Sequence, residues 1–128
     1  MPPAPPRPTD TELEILTALW SRGPSTVREI HEILALRKPT QYTTALKMLQ
    51  IMAEKRLVRR NEDQRAHVYE AACPQEATQQ QLAGDLLERA FSGSAARLMQ
   101  GALSARKASK AELADIRRML DEYEGKEK

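Results

Sequence analysis

The feature that most constrains the fold of this 128-residue chain is a change in the spacing of its apolar residues near residue 57. Before that point, three segments repeat apolar residues every three or four positions, which is the period of an amphipathic helix. After it, residues 57–61 and 66–70 predict two short strands, and the polar residues 62–65 predict a turn between them. Three helices followed by a hairpin, within about 65 residues, is the element order of a winged helix-turn-helix. The sequence therefore predicts a mainly α fold that begins with this module.

Capping boxes indicate where the first two helices begin. Thr9 with Glu12, and Thr26 with Glu29, each place a hydroxyl three residues before a carboxylate. In a capping box, each of these side chains binds a backbone amide that the helix leaves without a partner. The Gly-Pro pair at 23–24 is expected to end the first helix.

Pro39 marks a break, after which Thr40 can cap a third helix that continues to about Lys55. One of its faces is apolar and should enter the core: Tyr42, Ala45, Leu46, Leu49, Met52 and Ala53. The opposite face is polar and rich in threonine: Thr40, Thr43, Thr44, Lys47 and Gln50.

The polar face of this helix has the chemistry of a DNA-reading surface. Hydroxyl, amide and ammonium groups can bind base edges or phosphates in a major groove. No acidic residue, which would repel phosphate, occurs between Arg37 and Gln50. An ordinary solvated helix face is the alternative, but threonine is a poor helix former. The predicted DNA-binding residues of this region are Arg37, Lys38, Thr40, Gln41, Thr43, Thr44 and Lys47.

The hairpin has its own candidate contacts, because a wing places cationic residues along a DNA backbone or in a minor groove. Arg65 in the predicted turn is the strongest candidate. Arg59 and Arg60 cannot both face one surface, since alternate strand residues point in opposite directions. Arg60 is included in the predicted DNA-binding set, although either arginine could be structural.

The charge of the chain is unevenly distributed. The formal net charge is +2, from 20 Lys and Arg residues and 18 Asp and Glu residues. Residues 37–65 hold eight basic and three acidic side chains, so this window has a net charge of +5 and the rest of the chain has −3. A basic stretch suggests a polyanion partner. On charge alone, a solvated charged face is the simpler interpretation.

Composition excludes several classes of protein. No apolar run is long enough to span a bilayer, and no secretory signal occurs at the N-terminus, so we expect a cytoplasmic protein without a membrane partner. Cys73 is the single cysteine and cannot form an internal disulfide or a thiolate cluster. His31 and His67 are too few and too scattered for a metal site. Neither a cofactor nor an active site is predicted, so we do not expect an enzyme.

A second helical part follows Pro74. Three further segments have apolar stripes, and Ser109 with Glu112 forms a third capping box. About 50 residues bury too little surface to be stable alone, so these stripes indicate a partner, most simply a second copy of the chain. Packing against the first part of the chain is the alternative. The predicted dimerisation residues are Leu82, Leu86, Leu87, Phe91, Leu98, Met99, Leu113, Ile116, Leu120 and Tyr123.

The expected organisation is therefore a disordered tail and two domains. The tail is residues 1–8, which include five prolines. The winged-helix DNA-binding domain is expected over residues 9–72, and the three-helix dimerisation domain over residues 73–128.

Several short segments between residues 9 and 124 together resemble one known family in their order and spacing. They are Thr11-Glu12-Leu13-Glu14-Ile15-Leu16 with Leu19-Trp20, Thr26-Val27-Arg28-Glu29-Ile30, Tyr42-Thr43-Thr44 with Leu49, Met52 and Lys55, Arg65-Ala66-His67-Val68-Tyr69, and Phe91-Ser92-Gly93-Ser94. They resemble the penicillinase-repressor family of bacterial transcription factors, which includes beta-lactamase and methicillin-resistance repressors and copper-responsive relatives. The resemblance implies a homodimer that blocks transcription from a palindromic operator in double-stranded DNA. It places Thr43, Thr44 and Lys47 in the major groove and Arg65 on the backbone.

The sequence departs from the family pattern at several positions. Lys47 stands where threonine is common, which implies a different operator preference, and Ile51 replaces an arginine that could reach a phosphate. Arg56 replaces a glycine that suits a left-handed helix end, at a cost of about 1 kcal/mol. Antibiotic-responsive members are cleaved at an Asn-Phe bond when a membrane sensor protease signals, whereas the aligned pair here is Gly101-Ala102.

The single Cys73 also differs from the C-terminal cysteine cluster of the copper-responsive members, so thiolate-based metal release is not expected. A sensor or protease partner is possible for a member of this family. Within the same fold, the alternative function is a protein-interaction module whose third helix binds a partner protein without sequence-specific DNA binding.

Overall fold

The computed structural model describes residues 7–61 and 67–126 of the chain. In chain order the elements are α1 (Asp10–Arg22), β1 (Ser25–Thr26), α2 (Val27–Arg37), α3 (Tyr42–Glu54), β2 (Val58–Asn61), β3 (Val68–Ala71), α4 (Gln75–Ala90), α5 (Ala95–Ala105) and α6 (Lys110–Lys126). The predicted turn at 62–65 lies outside the described residues. So do the first six residues of the predicted tail, whereas Pro8 is buried.

The first three helices and the sheet form a winged helix. The strands pair antiparallel in the order β1-β3-β2, with Val58 opposite Ala71 and Asn61 opposite Val68. The β1 strand was not predicted, because two residues are too few to show an alternating pattern. The prediction of a mainly α chain with an N-terminal winged helix and C-terminal helices is confirmed.

The core of the winged helix contains the apolar stripes that predicted its helices. Its side chains are less than a tenth exposed, so each buries most of its apolar surface, which contributes about 1.5–3 kcal/mol for a large aliphatic residue. They are Ile15, Leu16, Leu19, Val27, Ile30, Leu34, Ala45, Leu49, Met52, Leu57, Val58 and Tyr69. Tyr42, which was assigned to this set from its helical spacing, is instead 47% exposed, so that assignment is wrong.

The two predicted capping boxes are confirmed by their hydrogen bonds. The Thr9 hydroxyl accepts from the Glu12 amide at 3.2 Å, and a Glu12 carboxylate oxygen accepts from the Thr9 amide at 2.9 Å. Thr26 and Glu29 make the same reciprocal pair at 3.1 and 2.9 Å. Each box therefore satisfies two amides that the helix start leaves without partners.

The prediction that Thr40 caps α3 is wrong. Gln41 is the N-cap of this helix, and its side chain makes no capping hydrogen bond. Thr40 lies one residue earlier, and its hydroxyl donates to the Lys38 carbonyl at 2.9 Å. The local bond to Lys38 competes with a capping role, as threonine hydroxyls in turns often do.

Arg56 follows α3 in a left-handed conformation, with φ of +66°. This confirms the expectation that the position suits glycine, since a side chain with a Cβ is strained there. The turn made by Arg56 directs the chain from the end of α3 into β2.

The chain divides into two compact units, Met1–Ala83 and Gly84–Lys128. Their boundary falls within α4, later in the chain than the domain boundary predicted after residue 72. In the second unit, the Ser94 hydroxyl accepts from the Arg97 amide at 3.2 Å and caps α5. The Ser109 hydroxyl accepts from the Glu112 amide at 3.1 Å, which is one half of the third predicted capping box.

Candidate nucleic-acid interface

From Gln41 to Gln50, the exposed face of α3 is polar and has no acidic residue, whereas Glu54, the last residue of the helix, is acidic and exposed. Side chains on its inner face anchor the helix, because Ala45, Leu49 and Met52 are completely buried in the core. The 3.6-residue period of the helix then turns the predicted DNA-binding residues outward. The exposed polar residues are Gln41, Thr43, Thr44, Lys47 and Gln50, and four of these five were in the predicted set. Thr40 is half-buried.

Two lysines of this region have no acidic partner among the residues that the structure describes. Lys38 lies in the turn before α3, and Lys47 lies on its exposed face. Both ammonium groups are therefore available for an external anion. Because each is exposed and hydrated, its binding to a phosphate would release counterions and would weaken as salt rises.

Other basic residues of the window 37–65 are paired with carboxylates that lie outside this window. The Lys55 ammonium contacts Glu12 at 2.8 Å, and the Arg37 guanidinium contacts Glu14 at 3.3 Å. The Arg37 side chain is 76% exposed, and surface pairs of this kind are weak, so Arg37 can exchange Glu14 for a phosphate. Lys55 is 35% exposed and its partner is buried, so it is held more firmly. Sequence alone did not reveal these pairs, since Glu12 and Lys55 are 43 residues apart.

The hairpin arginines also have partners. Arg59 in β2 contacts Glu70 in β3 at 3.3 Å, directly across the strand pair. Arg60 donates to the His67 imidazole through Nε at 3.1 Å. Arg65, the strongest predicted wing contact, lies outside the described residues. The exposed Arg60 side chain is therefore the member of the predicted wing set that the structure places, and it lies beside His67.

A side chain of α2 contacts the start of α3, and sequence reasoning missed it. The His31 Nε2 lies 2.6 Å from the Thr40 carbonyl oxygen. Its ring also meets the Tyr42 ring edge to face, with 5.9 Å between centroids. The periodicity of the sequence could not have revealed the contacts of His31 with Thr40 and Tyr42, because both depend on the angle between α2 and α3.

Two carboxyl groups that cap helices have perturbed pKa values. Burial of Glu12 raises the pKa of its carboxyl, but hydrogen bonds from Lys55 and Thr9 and the charge of Lys55 outweigh it and leave the pKa below 4.5. The Thr26 amide and hydroxyl lower the pKa of the Glu29 carboxyl, with a smaller contribution from Arg22. Both carboxylates are therefore ionised at neutral pH, as a cap at a helix N-terminus favours.

The second unit presents apolar side chains at its surface. Of the predicted dimerisation residues, Leu86, Met99, Leu120 and Tyr123 are between 40% and 64% exposed. The others are half-buried: Leu82, Leu87, Phe91, Leu98, Leu113 and Ile116. Leu103 and Met119 are also exposed, and the prediction did not include them. None of the α5 residues is buried.

The described part of the chain has neither a metal-binding cluster nor a helix that could span a membrane. Over residues 7–61 and 67–126, no group of three or more His, Cys, Asp or Glu side chains is placed to bind a metal ion. No helix in the same ranges has both the length and the apolar composition needed to cross a membrane.

Known proteins resemble this chain in sequence and in fold. Two strains of Mycobacterium tuberculosis have a protein named Transcriptional regulator BlaI, and each is 46% identical over 61 residues, or 47% of this chain. The match spans 44% of each relative, so this chain covers less than half of their length. Bacillus licheniformis BlaI, solved in its monomeric form in complex with the blaP half-operator, aligns with a TM-score of 0.50.

That alignment covers 57% of this chain and 89% of the Bacillus chain at 20% identity, so it concerns the fold alone. The family description Penicillinase repressor matches residues 8–122, which is nearly the whole chain. The sequence-based assignment is thereby confirmed, and the chain belongs to the penicillinase repressor family.

Proposed function

We propose that the protein is a transcriptional repressor that binds palindromic operator DNA as a homodimer. The observation that supports this most directly is the exposed polar face of α3, which has Thr43, Thr44 and Lys47 on it and no acidic residue from Gln41 to Gln50. A recognition helix needs such a face opposite a buried one, so that it can enter a major groove without leaving the core. On this proposal the protein is a regulator and not an enzyme.

The two kinds of residue on α3 would have different tasks. The threonine hydroxyls and methyl groups are short enough to read base edges. The lysine ammonium groups bind phosphates and fix the register, and Lys47, in the major groove, would also reach a base edge. Lys38 and Lys47 lack acidic partners among the described residues, so they need not break an ion pair before they bind DNA. Arg37 and Arg60 would add contacts after exchanging Glu14 and His67 for phosphate. Arg65 is the proposed contact from the wing.

Homodimerisation is the second part of the proposal. The exposed apolar residues Leu86, Met99, Leu120 and Tyr123 would be covered by a second copy of the chain. A symmetric dimer would place its two recognition helices on half-sites about one helical turn apart, ~34–36 Å. The relatives named BlaI support a regulator of this type, and the Bacillus protein was solved on a half-operator.

A sensor or protease partner is expected to act on a different bond from the one cut in antibiotic-responsive members. The aligned Gly101 and Ala102 lie inside α5, and the Phe91 ring lies against Gly101, about 3.4 Å from the place of a Cβ. A protease needs an exposed and extended segment, which a packed helix does not provide.

The direct test is selection of a binding sequence from a random DNA pool, followed by titration of the selected and a scrambled duplex. Thr44→Ala should weaken binding to the selected duplex by about fivefold or more and binding to the scrambled one much less, since a base contact is worth at least ~1 kcal/mol. Lys47→Ala should also weaken specific binding more, and it should reduce the salt slope by about one unit.

Matched controls are Thr17→Ala on α1 and Lys110→Ala on α6, both exposed and outside the proposed interface. Equal losses on the two duplexes for Thr44→Ala would show that it does not read bases. Binding that stayed constant from low to high salt would count strongly against the proposal.

The alternative function is a protein-interaction module built on the winged helix. The observation that favours it is Leu36 at the end of α2, which is 86% exposed although it is a large apolar residue. Single exposed apolar residues are common, so this is weak support. The same selection experiment separates the two functions, because an interaction module would enrich no DNA sequence.

A further inference from the structure

The recognition helix differs from the other helices of the winged helix in how it starts. α1 and α2 each begin with a complete capping box, whereas the N-cap of α3, Gln41, makes no side-chain hydrogen bond. Loss of a capping side chain typically frays the first turn of a helix, because its amides have no partner. Since Thr43 and Thr44 lie in that first turn, its order matters for any base contact they make.

His31 supplies the missing constraint from the neighbouring helix. Its Nε2 lies 2.6 Å from the carbonyl oxygen of Thr40, the residue before the N-cap. A carbonyl oxygen can only accept, so the Nε2 atom holds the hydrogen and the imidazole donates it. The ring also contacts Tyr42, the first residue of α3, in an edge-to-face arrangement with an 80° angle between planes. One side chain thus contacts the residues on both sides of the uncapped N-cap.

We propose that His31 is a positioning residue for DNA sequence reading, which acts by fixing the first turn of α3 and does not touch DNA itself. This inference rests on the proposed function of α3. The rest of the helix does not depend on His31, because Ala45, Leu49 and Met52 are fully buried in the core. Loss of His31 should therefore loosen the first turn while α3 stays in place.

This arrangement predicts that loss of His31 lowers the affinity for the selected DNA sequence more than the affinity for an unrelated sequence. Gln41, Thr43 and Thr44 lie at the loosened end, so their contacts with base edges should weaken. Phosphate contacts are less sensitive to orientation, because an ammonium group on a flexible side chain can follow a phosphate. Binding to an unrelated sequence, which depends on phosphates, should change little.

The experiment compares His31→Ala and His31→Gln with the full-length wild-type protein on the selected and scrambled duplexes described above. The glutamine amide can donate to the Thr40 carbonyl as the imidazole does, but it lacks the aromatic ring. His31→Ala should lower the ratio of the affinity for the selected duplex to that for the scrambled duplex by about five- to tenfold. This factor corresponds to the loss of one hydrogen bond and of the order that it gives to the first turn. His31→Gln should recover most of that ratio.

Two controls separate positioning from a general loss of folding. Glu32→Ala removes an exposed neighbour on α2 and should leave the ratio unchanged. Amide hydrogen exchange should be faster at Thr44 and Ala45, whose amides bond to the Gln41 carbonyl, in His31→Ala but not at the core amide of Leu49. If His31→Ala fails to fold, the exchange rates and affinity ratio of His31→Gln still provide the test.

The outcomes distinguish the two levels of the proposal. A wild-type protein that selects no DNA sequence overturns the proposed function and, with it, this role of His31. A selective wild type whose His31→Ala variant keeps its full ratio overturns the role of His31 alone. A folded His31→Gln variant that loses as much selectivity as His31→Ala would show that the hydrogen bond to Thr40 is not the cause.

Discussion

Replacing Glu12 should destabilise the winged helix more than the loss of a helix cap alone. The carboxylate is only 6% exposed, and each of its oxygens has a partner. Oε1 accepts from the Thr9 amide at 2.9 Å and Oε2 accepts from the Lys55 ammonium at 2.8 Å. Because Lys55 is the C-cap residue of α3, the Glu12 side chain connects the first turn of α1 to the end of α3.

The size of the effect follows from these two contacts. Loss of one half of a capping box costs about 0.5–1 kcal/mol. Loss of a hydrogen bond to a charged group costs about 1.5–3 kcal/mol, and the lower part of this range applies because Lys55 is about a third exposed and stays hydrated. We therefore expect Glu12→Ala to lower the free energy of unfolding by about 2–3 kcal/mol. Glu12→Gln keeps an acceptor for the Thr9 amide and should cost about 1–2 kcal/mol.

The pH dependence gives the sharper test, because it depends on the charge of Glu12. The pKa of this carboxyl is below 4.5 in the folded protein, so ionised Glu12 contributes stability that is fully present above about pH 5 and is lost as pH falls through the folded-state pKa. The difference between wild type and Glu12→Gln should therefore be constant from neutral pH to about pH 5 and shrink below it.

Trp20 provides the assay. It is the single tryptophan, and its indole N–H donates to the Cys73 carbonyl at 2.9 Å within the first unit, so its fluorescence reports unfolding of the winged helix. Urea unfolding at one protein concentration gives the free energies, since dimerisation would make stability depend on concentration. A difference between wild type and Glu12→Gln that was the same at pH 7 and at pH 3 would refute the role assigned to this ion pair.

Two further predictions concern the end of α3 and the second unit. Arg56→Gly should stabilise the protein by about 0.5–1 kcal/mol in the same urea assay, because φ at Arg56 is +66°, whereas Arg56→Ala keeps a Cβ and should gain nothing. Equal stabilities of the two Arg56 variants would contradict the assigned strain. Leu120→Glu should convert the proposed dimer to a monomer of about 14 kDa in sedimentation while Trp20 fluorescence is unchanged, since it places a charge on a residue that is 55% exposed and proposed to be covered. Ala114→Glu, at another exposed position of α6, is the control with the same change in charge, and a Leu120→Glu protein that still sedimented as a dimer would exclude this face as the interface.

Local sequence signals predicted most of the winged helix. The capping boxes at Thr9 and Thr26 formed because both partners lie within one helical turn, so the interaction needs no tertiary context. The apolar period predicted the buried side of α3 for the same reason. It was wrong at Tyr42, where the first turn of the helix projects beyond the core and the ring is left 47% exposed. The two-residue strand β1 was missed, because its hydrogen bonds are with β3 and not with its sequence neighbours.

The sequence by itself determined the order of the helices and strands, the starts of α1 and α2, the buried stripe of α3 and the family. These features depend on residue spacing along one element, which a linear sequence contains in full. Tertiary structure decided which basic side chains of the candidate site are free of ion pairs with carboxylates and which of its residues are exposed. The basic window has a net charge of +5 in the sequence, yet Lys55, Arg37 and Arg59 face Glu12, Glu14 and Glu70 from outside that window.

Tertiary structure also decided how α3 begins. Sequence pattern assigned this task to Thr40 as a cap, whereas His31 meets the Thr40 carbonyl from α2. Both differences have one physical cause. Coulomb interactions and hydrogen bonds depend on distance in space, and packing brings Glu12 within 2.8 Å of Lys55, although the two residues are 43 positions apart in the chain.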